Sequence, residues 1–460
     1  MTKDQILKKV KKYPGAKVKL AITDMDGVLR GKVIATEKFL SILKNGFGFC
    51  DVVFGWDAAD ALYDNVDITG WHTGFPDANA KIDLNTFREV PWDNDIPFFL
   101  ADFRDGNDEA LEICPRNLLK NIETQAKADG FKTYMSQEFE WFNFDETPWT
   151  LADKDFKDLR PLTPGMFGYS ILRSSLEKEY FNDIFDLMAD FKVPIEGMHT
   201  ETGPGVYEAA IKYSDPVEAA DRAVLFKTGT KEIAYQHGII ATFMAKWNSQ
   251  LPGCSGHVHQ SLWGGNKSHN LFYDSKDKHN MSALMKSYIA GQLHCLPYIL
   301  PMFAPNINSF KRLVEGAWAP TTLTWGVDNR TTALRVITSG KNSSRLESRV
   351  CGSDTNPYLA LAACLASGLY GIRKGLKLKQ PATKGNGYEE FSYGRLPGTL
   401  QAATQAMKKS KLARDLFGKE FVDHFTKTRE WEVKEFRKNV KGSKPKDITH
   451  WELKRYFEII

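Results

Sequence analysis

The order of apolar and polar residues divides the chain into a short first part rich in strands and a longer second part rich in helices. Residues 1–14 have the spacing of an amphipathic helix, and Pro14-Gly15 ends it. From Lys17 onward apolar runs lie on both sides of the turn pair Asp26-Gly27, which predicts a β-hairpin. Residues 45–110 are predicted to be mainly loop, and we place a domain boundary near residues 105–107.

Beyond that boundary, longer helical periods alternate with short apolar runs. The predicted helices are residues 115–128, 175–191, 216–237, 282–296 and 358–372, and the predicted strands are residues 131–144, 242–246, 257–262, 323–325, 332–336 and 345–350. The tail from Leu400 is predicted to be helical. Long helices with scattered strands favour an α+β domain whose antiparallel sheet carries helices on its outer face.

Composition narrows the function classes only a little. The chain has 460 residues, 42% of them hydrophobic, and a net charge of +4, which excludes wholesale disorder and gives no reason to expect a nucleic acid or membrane partner. Residues 358–372 are too few for a membrane span and predict a buried helix. Six cysteines without a CxxC pair, and an N-terminus without a secretory signal, indicate a cytoplasmic protein without a disulfide framework.

Three predicted strands carry charged or histidine side chains at alternate positions. Side chains at positions i and i+2 of a strand point to the same face of the sheet. A single such pair is usually a solvated sheet face, but three of them in one chain argue for a site. The rows are Glu138 with Glu140, His257 with His259, and Arg345 with Glu347 and Arg349.

The residue types in these rows suit metal and phosphate chemistry. Adjacent carboxylates repel one another unless a cation lies between them, and glutamates with a histidine but no thiolate favour Mg²⁺ or Mn²⁺. Glu201 and Glu208 bracket a Gly-Pro-Gly turn that can bring two more carboxylates to the same place. Arginines match carboxylate and phosphate oxygens, which suggests ATP and phosphoryl transfer. They stand at positions 312, 330, 335, 345 and 349.

Six segments in order resemble the glutamine synthetase superfamily over nearly the whole chain. They are Glu-Phe-Glu-Trp-Phe-Asn-Phe at 138–144, Gly-Met-His-Thr-Glu-Thr-Gly-Pro-Gly-Val-Tyr-Glu at 197–208, Cys-Ser-Gly-His-Val-His-Gln-Ser at 254–261, Asn-Ser-Phe-Lys-Arg-Leu at 308–313, Asn-Arg at 329–330 continuing to Arg335, and Arg-Leu-Glu-Ser-Arg at 345–349 followed by Asn-Pro-Tyr-Leu-Ala-Leu-Ala-Ala at 356–363. The resemblance implies a β-grasp domain at residues 15–108 after an N-terminal helix at 1–14, and a catalytic domain at residues 109–460. It also implies a homo-oligomeric ring, a dodecamer, with active sites between subunits.

The same resemblance assigns roles to individual residues. Two or more Mg²⁺ or Mn²⁺ ions per site are implied, one held by Glu140, Glu201 and Glu208 and the other by Glu138, His257 and Glu347. The implied glutamate-binding residues are Gly253, His259, Arg312 and Arg349, and the implied ATP-binding residues are Arg335, Arg345 and Ser261. Arg330 corresponds to the arginine that neutralises the transferring phosphoryl group. Asp77 and Asp57 correspond to acids that a neighbouring subunit contributes to catalysis.

One segment departs from the pattern of the ammonia-using members. They have Lys-Arg-Leu-Val-Pro-Gly-Tyr-Glu-Ala-Pro, where this chain has Lys-Arg-Leu-Val-Glu-Gly-Ala-Trp-Ala-Pro at residues 311–320, here named the flap. Trp318 replaces the glutamate at the ammonium site, and an indole offers apolar area but accepts no proton. We therefore expect an ATP-dependent ligase that joins the γ-carboxylate of glutamate to an amine through γ-glutamyl phosphate. Glu315 can supply the missing charge, which keeps glutamine synthesis from ammonia as the alternative.

Two other classes compete with the ligase. Asp24-Met-Asp26 after an apolar strand is similar to the nucleophile motif of haloacid-dehalogenase-type phosphatases, although an Asp-Gly hairpin turn explains the same residues. A non-catalytic structural relative is the other alternative. It is disfavoured because all six metal-ligand positions carry suitable side chains.

Overall fold

The computed structural model describes residues 1–264 and 269–460, which form two β-sheets and the helices packed on them. The first sheet lies in the N-terminal part of the chain, with strand order β2-β1-β6-β4-β3 and β5 paired to β6. Its strands are β1 (Lys17–Thr23), β2 (Leu29–Ala35), β3 (Phe47–Cys50), β4 (Asp77–Ile82), β5 (Arg88–Val90) and β6 (Ile96–Arg104). Strand β1 pairs with β2 antiparallel and with β6 parallel.

Residues 55–76 are largely loop, as predicted, but four of these strands lie in the rest of residues 45–110. Strand β6 is buried at every residue except Arg104, so both of its faces are apolar and the alternation that marks a half-buried strand is missing. The predicted domain boundary near residues 105–107 follows the end of β6, and the division into two domains stays a prediction.

The predicted hairpin is confirmed, and its turn explains the phosphatase-like motif. Asp24 Oδ1 accepts hydrogen bonds from the backbone N–H groups of Asp26 (3.0 Å) and Val28 (2.9 Å), and Oδ2 pairs with Arg30 Nε at 2.9 Å. Gly27 has a φ of +84°, and a Cβ there would lie 2.9 Å from the Cα of Asn356. The Asp24 carboxylate is therefore buried and fully used by the turn, which contradicts a nucleophilic role.

The second sheet has strand order β12-β13-β14-β11-β7-β9-β8, with β10 paired to β7. Among the described strands its pairs are antiparallel apart from β12 with β13. Its strands are β7 (Phe131–Phe144), β8 (Ile195–Thr200), β9 (Val206–Ile211), β10 (Ile240–Thr242), β11 (Gly256–Gly264), β12 (Trp325–Val327), β13 (Leu334–Ile337) and β14 (Arg345–Ser348). This sheet and its helices confirm the α+β architecture.

The described residues contain fourteen α-helices. They are α1 (Lys3–Lys12), α2 (Thr36–Ile42), α3 (Pro115–Ala128), α4 (Pro148–Asp153), α5 (Ile171–Ser174), α6 (Lys178–Asp190), α7 (Pro216–Gln236), α8 (Ala283–Ile299), α9 (Ser309–Arg312), α10 (Pro357–Arg373), α11 (Leu400–Lys409), α12 (Lys411–Phe417), α13 (Lys419–Asn439) and α14 (His450–Tyr456). None of them is long and apolar enough to cross a membrane.

The predicted strand at 242–246 is mostly wrong, since β10 ends at Thr242. The residues after Thr242 leave the sheet, and the Asn308 side chain takes the place of a neighbouring strand as their hydrogen-bond partner. Asn308 accepts a hydrogen bond from the Lys246 N–H at 2.7 Å and donates to the Lys246 carbonyl at 2.8 Å. Buried backbone polar groups need such partners when no neighbouring strand supplies them.

Strand β7 shows how the sheet separates core from site. Phe139 and Trp141 are fully buried on one face, where their rings contact Phe226 of α7 and Phe243 at centroid distances of 6.0 and 5.8 Å. Glu138 and Glu140 alternate with these aromatic residues along the strand and point to the opposite face. The strand is therefore anchored by an aromatic core directly beneath its two carboxylates.

Candidate active site

Two adjacent cavities lie on the polar side of the second sheet, and both are lined by Glu138. The first, named the carboxylate cavity, has about 320 Å³ and is lined by Glu138, Glu140, Tyr169, Glu201, Thr202, Val206, Glu208, Pro252, Gly253, Ser255, His257, Ala317, Trp318, Arg330 and Arg349. The second, named the aromatic cavity, has about 350 Å³, and the residues used below are Tyr134, Tyr213, His259, Ser261, Trp263 and Arg345.

Strand register brings the predicted metal ligands together. Glu138 lies opposite His257 on β11, and Glu140 lies opposite Glu208 on β9. Glu201 comes directly after β8, and the turn that leads back to β9 depends on Gly205. This glycine has a φ of +71°, and a Cβ there would lie 2.6 Å from the Asn143 carbonyl oxygen. Strand alternation for Glu138, Glu140 and His257, and the turn for Glu201 and Glu208, thus bring these side chains to the lining of one cavity.

The carboxylates of this cavity are close enough to disturb one another's protonation. Burial, followed by the charges of Glu138 and Glu140, raises the pKa of Glu208 to about 12. Burial also raises the pKa of Glu140, with Glu201 adding to the effect. Such a group of acids retains a proton unless a cation replaces it. The donor set therefore fits a hard divalent cation such as Mg²⁺ or Mn²⁺.

His257 adds a neutral nitrogen to the same cavity. Its Nδ1 lies 3.3 Å from Glu347 Oε1, whereas its buried Nε2 has no hydrogen-bond partner among the described residues. Burial, together with the positive charge of Arg349, holds the pKa of His257 well below its usual value. A neutral imidazole oriented by a carboxylate through its other nitrogen is the usual form of a metal-binding histidine.

Glu347 lies beneath the cavity rather than in its lining, and two arginines neutralise it. Arg349 contacts its Oε1 at 2.5 Å, and Arg335 contacts its Oε2 at 3.0 Å. Although burial alone would raise the pKa of Glu347, its positively charged neighbours, Arg349 and Arg335 among them, lower it to about 2. Arg335 is held by Glu347 and Asp328 and lines neither cavity.

Arg312 has a different place from the one the resemblance gave it. It lies behind the cavity wall, where it donates to the Val350 carbonyl (3.0 Å), the Arg349 carbonyl (3.2 Å) and Ser255 Oγ (2.9 Å). The structure therefore assigns Arg312 a bracing role in place of direct glutamate contact. Gly253 does line the cavity, and a Cβ there would lie 2.4 Å from the Ala245 carbonyl oxygen.

His259 also differs from the expectation, because it lines the aromatic cavity. Its Nε2 lies 3.2 Å from Glu138 Oε2, and its Nδ1 accepts a hydrogen bond from Arg345 Nε at 3.2 Å. Ser261 and Arg345 line this cavity as the predicted ATP-binding residues. His259 therefore belongs with them and not with Gly253 and Arg349.

Several residues of the two cavities were not found from the sequence. The Tyr134 ring has edge contacts with Tyr213 and Trp263 at centroid distances of 5.4 and 5.8 Å. Tyr169 reaches the carboxylate cavity because its backbone N–H donates to the Thr200 carbonyl at 2.7 Å. That contact joins residues 31 positions apart, so no local pattern in the sequence indicates it. His199 lines neither cavity, but it stands two positions before Glu201, an alternate-position pair that the sequence shows.

The flap contributes Trp318 and Ala317 to the carboxylate cavity. Trp318 is 55% exposed and has a φ of +57°, a left-handed conformation that is rare for a bulky residue. Glu315 is 56% exposed, lies 3.7 Å from Arg395 and does not line the cavity. This geometry supports the expectation that Trp318 contacts the amine. It gives no support, within one chain, to Glu315 as a proton acceptor.

The two predicted catalytic aspartates lie in the N-terminal part and away from the cavities of their own chain. Asp57 is buried, and its Oδ2 accepts from Trp431 Nε1 at 2.8 Å and from Arg455 at 2.6 Å. Because these partners use its carboxylate, we no longer assign Asp57 a catalytic role. Asp77 is exposed at the start of β4, and its place in a neighbour's site stays a prediction.

Comparison with known proteins agrees with this geometry. The family model described as glutamine synthetase, catalytic domain, matches residues 112–456. A type-1 glutamine synthetase 2 of Dictyostelium discoideum is 51% identical over 99% of this chain and 86% of its own length. A glutamate–isopropylamine ligase of a Pseudomonas species is 37% identical over 100% and 99%, and a γ-glutamylethanolamide synthetase of Streptomyces coelicolor is 34% identical over 96% and 92%.

The fold also matches solved structures. One described as a GmaS/ADP complex superposes with a TM-score of 0.82 at 24% identity and covers 98% of both chains. The family match over most of the chain, with full-length relatives at 51% and 37% identity, identifies this protein as a member of the glutamine synthetase family of ligases.

Proposed function

We propose that this ligase joins the γ-carboxylate of glutamate to an amine larger than ammonia, with ATP as the second substrate. The proposal rests on the position of Trp318 in the flap, where this residue lines the carboxylate cavity together with the glutamates. An indole at this place gives the alkyl part of an amine an apolar surface and gives ammonium no proton acceptor. Two relatives, one named for the amine isopropylamine and the other for the product γ-glutamylethanolamide, support the same conclusion.

In this proposal ATP occupies the aromatic cavity and glutamate the carboxylate cavity. The rings of Tyr134, Tyr213 and Trp263 offer apolar faces and edges to the base, and Arg345 lies where it meets phosphate oxygens. Glu138 lines both cavities, so the triphosphate and the γ-carboxylate meet beside it. Arg349 and Arg330 are the guanidinium groups of the carboxylate cavity, and we assign them to the substrate carboxylate and to the transferring phosphoryl group.

The reaction then has two displacements. A γ-carboxylate oxygen attacks the terminal phosphorus of ATP, and ADP leaves with the electrons of the broken P–O bond. The amine nitrogen attacks the acyl carbon of γ-glutamyl phosphate, phosphate leaves, and the amine proton passes to a base. Mg²⁺ or Mn²⁺ held by Glu140, Glu201 and Glu208, and by Glu138 with His257, which Glu347 orients, would supply positive charge for the phosphate oxygens. The chain's own part is orientation and charge neutralisation in a shielded cavity.

Product identification tests the proposal. The purified protein is incubated with glutamate, ATP, Mg²⁺ and one amine at a time, and both phosphate release and the product mass are measured. A γ-glutamylamide of the amine, with stoichiometric phosphate, is the expected result. Glutamine synthesis from ammonia is the second candidate, because the relative at 51% identity carries the name glutamine synthetase. If no phosphate is released with ammonium or with any amine, the result favours the non-catalytic alternative.

The assembly and location belong to the same proposal. A homo-oligomeric ring in the cytoplasm, with Asp77 reaching a neighbour's carboxylate cavity, is consistent with the exposure of Asp77. Its loop also exposes Trp71, which is 82% exposed in the single chain. Light scattering of the full-length protein gives the subunit number.

A further inference from the structure

We propose that His199 is a further ligand of the cation held by Glu201 and Glu208, and that its nitrogen gives this position a preference for Mn²⁺ over Mg²⁺. The inference rests on the metal part of the proposed function and is independent of which amine the enzyme uses. The resemblance gave this metal carboxylate ligands only. The structure instead brings one ligand atom each of His199, Glu201 and Glu208 within 4.8 Å of one another.

Strand pairing fixes this arrangement. His199 on β8 lies directly opposite Glu208 on β9, and Glu201 is two residues further along on the same side. Directly opposed residues have their side chains close enough for a shared ligand. The Tyr169 ring lies against the imidazole at a centroid distance of 4.4 Å and limits its rotation. The imidazole is thus held in place before any cation binds.

The hydrogen bonds of His199 determine which nitrogen faces the carboxylates. Nδ1 lies 3.1 Å from the Thr200 carbonyl oxygen, and since a carbonyl only accepts, Nδ1 carries the hydrogen. In the neutral imidazole Nε2 is then a bare lone pair, 3.2 Å from Glu208 Oε1. Two acceptors at that distance repel each other unless a proton or a cation lies between them, and a cation that displaces the proton can use both atoms as ligands. Fixing the tautomer through the other nitrogen is how proteins prepare a histidine ligand.

A second buried acceptor points to the same conclusion. His257 is 4% exposed, lines the carboxylate cavity, and has no hydrogen-bond partner for Nε2 among the described residues. Two imidazole nitrogens therefore lie beside the carboxylates, that of His257 in the cavity lining and that of His199 opposite Glu208. Mg²⁺ strongly prefers oxygen ligands, whereas Mn²⁺ accepts imidazole more readily.

Electron paramagnetic resonance of Mn²⁺ bound to the full-length protein tests the inference without substrates. Because both histidines supply nitrogen, the decisive variant is His257→Gln, which we expect to retain nitrogen hyperfine coupling from His199. The double variant with His199→Gln is expected to lose it. Loss of all nitrogen coupling in His257→Gln alone would overturn the inference.

Metal titration gives the matching affinity measurement. We expect His199→Gln to weaken Mn²⁺ binding at one site by about tenfold or more, and Mg²⁺ binding, measured by competition, by a clearly smaller factor. His237→Gln is the control, because that histidine pairs with Asp183 at 2.8 Å and lines neither cavity. Equal losses for both metals, or an unchanged Mn²⁺ titration, contradict the inference. Wild-type protein that binds no Mn²⁺ contradicts the metal part of the proposed function as well, whereas a different best amine leaves the inference intact.

Discussion

The indole of Trp318 and the carboxylate of Glu208 line the same cavity, one from the flap and the other from strand β9. An apolar ring and an acidic group, which the proposed function assigns to a metal, thus share the space in which an amine would meet an acyl phosphate. A cationic head and an alkyl body suit such a cavity better than ammonium, which has no apolar part to bury.

Replacing the indole by a carboxylate is expected to change the acceptor. In Trp318→Glu, kcat/KM for ammonium relative to that for an alkylamine should rise by about tenfold or more, because an apolar contact is lost and a proton acceptor is gained. Steady-state assays of phosphate release with each acceptor provide the ratio. Trp149→Glu is the matched control, since Trp149 is 79% exposed on α4 and lines neither cavity. An unchanged ratio in Trp318→Glu would place the indole outside the amine site.

Asp57 is expected to matter for stability. Its Oδ2 accepts from both Trp431 and Arg455, so among the described residues Asp57→Ala leaves the buried guanidinium of Arg455 with Glu432 as its charged partner. Breaking a buried pair costs about 3–5 kcal/mol when it leaves the charge unpaired. Because Glu432 still pairs with Arg455, we expect a smaller loss that nevertheless lowers the melting temperature clearly.

Asp64→Ala is the control for that change. Asp64 lies in the same loop and pairs with Lys434 of α13, but both side chains are more than half exposed. Exposed pairs contribute about 0–1 kcal/mol, so its melting temperature should hardly move. Equal effects of the two substitutions would mean that the buried pair does not hold this loop to the C-terminal helices.

His424 is expected to make the protein sensitive to acid. Burial, with the nearby charges of Lys427 and Arg429, lowers the pKa of His424 to about 4. The unfolded chain, with a histidine pKa of about 6.5, therefore binds more protons between these values. Stability is fully present above pH 6.5 and is lost as the pH falls toward 4.

Unfolding measured between pH 7 and pH 4.5 checks this dependence. His424→Leu should flatten the part of the curve due to this group, whereas His450→Gln, at a histidine whose side chain is 42% exposed, should leave it unchanged. If His424→Leu keeps the full slope, the acid sensitivity arises from other groups.

The parts of the site that the sequence predicted are those that depend on strand alternation. Glu138, Glu140 and His257 were placed correctly because period-two spacing is a local property that survives folding. The sheet architecture followed from the same spacing. Strand β6 was missed for the complementary reason, since burial of both faces removes the alternation.

The residues that were misplaced depend on contacts between distant segments. Arg312 turns from the cavity to the carbonyls of Arg349 and Val350, and Asp57 is taken by Arg455, 398 residues away. Competition among possible hydrogen-bond and ion-pair partners in the folded chain determines which partner each side chain has. A motif gives the residue type at a position, but it does not give the partner that binds the side chain in the folded protein.

The most direct test is a competition between acceptors. The purified protein, with saturating glutamate, ATP and Mg²⁺, is assayed for kcat/KM with ammonium, isopropylamine, ethanolamine and a polyamine, and each product is identified by mass. We expect at least one of the organic amines to exceed ammonium in kcat/KM and to yield its γ-glutamylamide. Ammonium as the best acceptor, with glutamine as the product, would contradict the proposed function and establish glutamine synthesis instead.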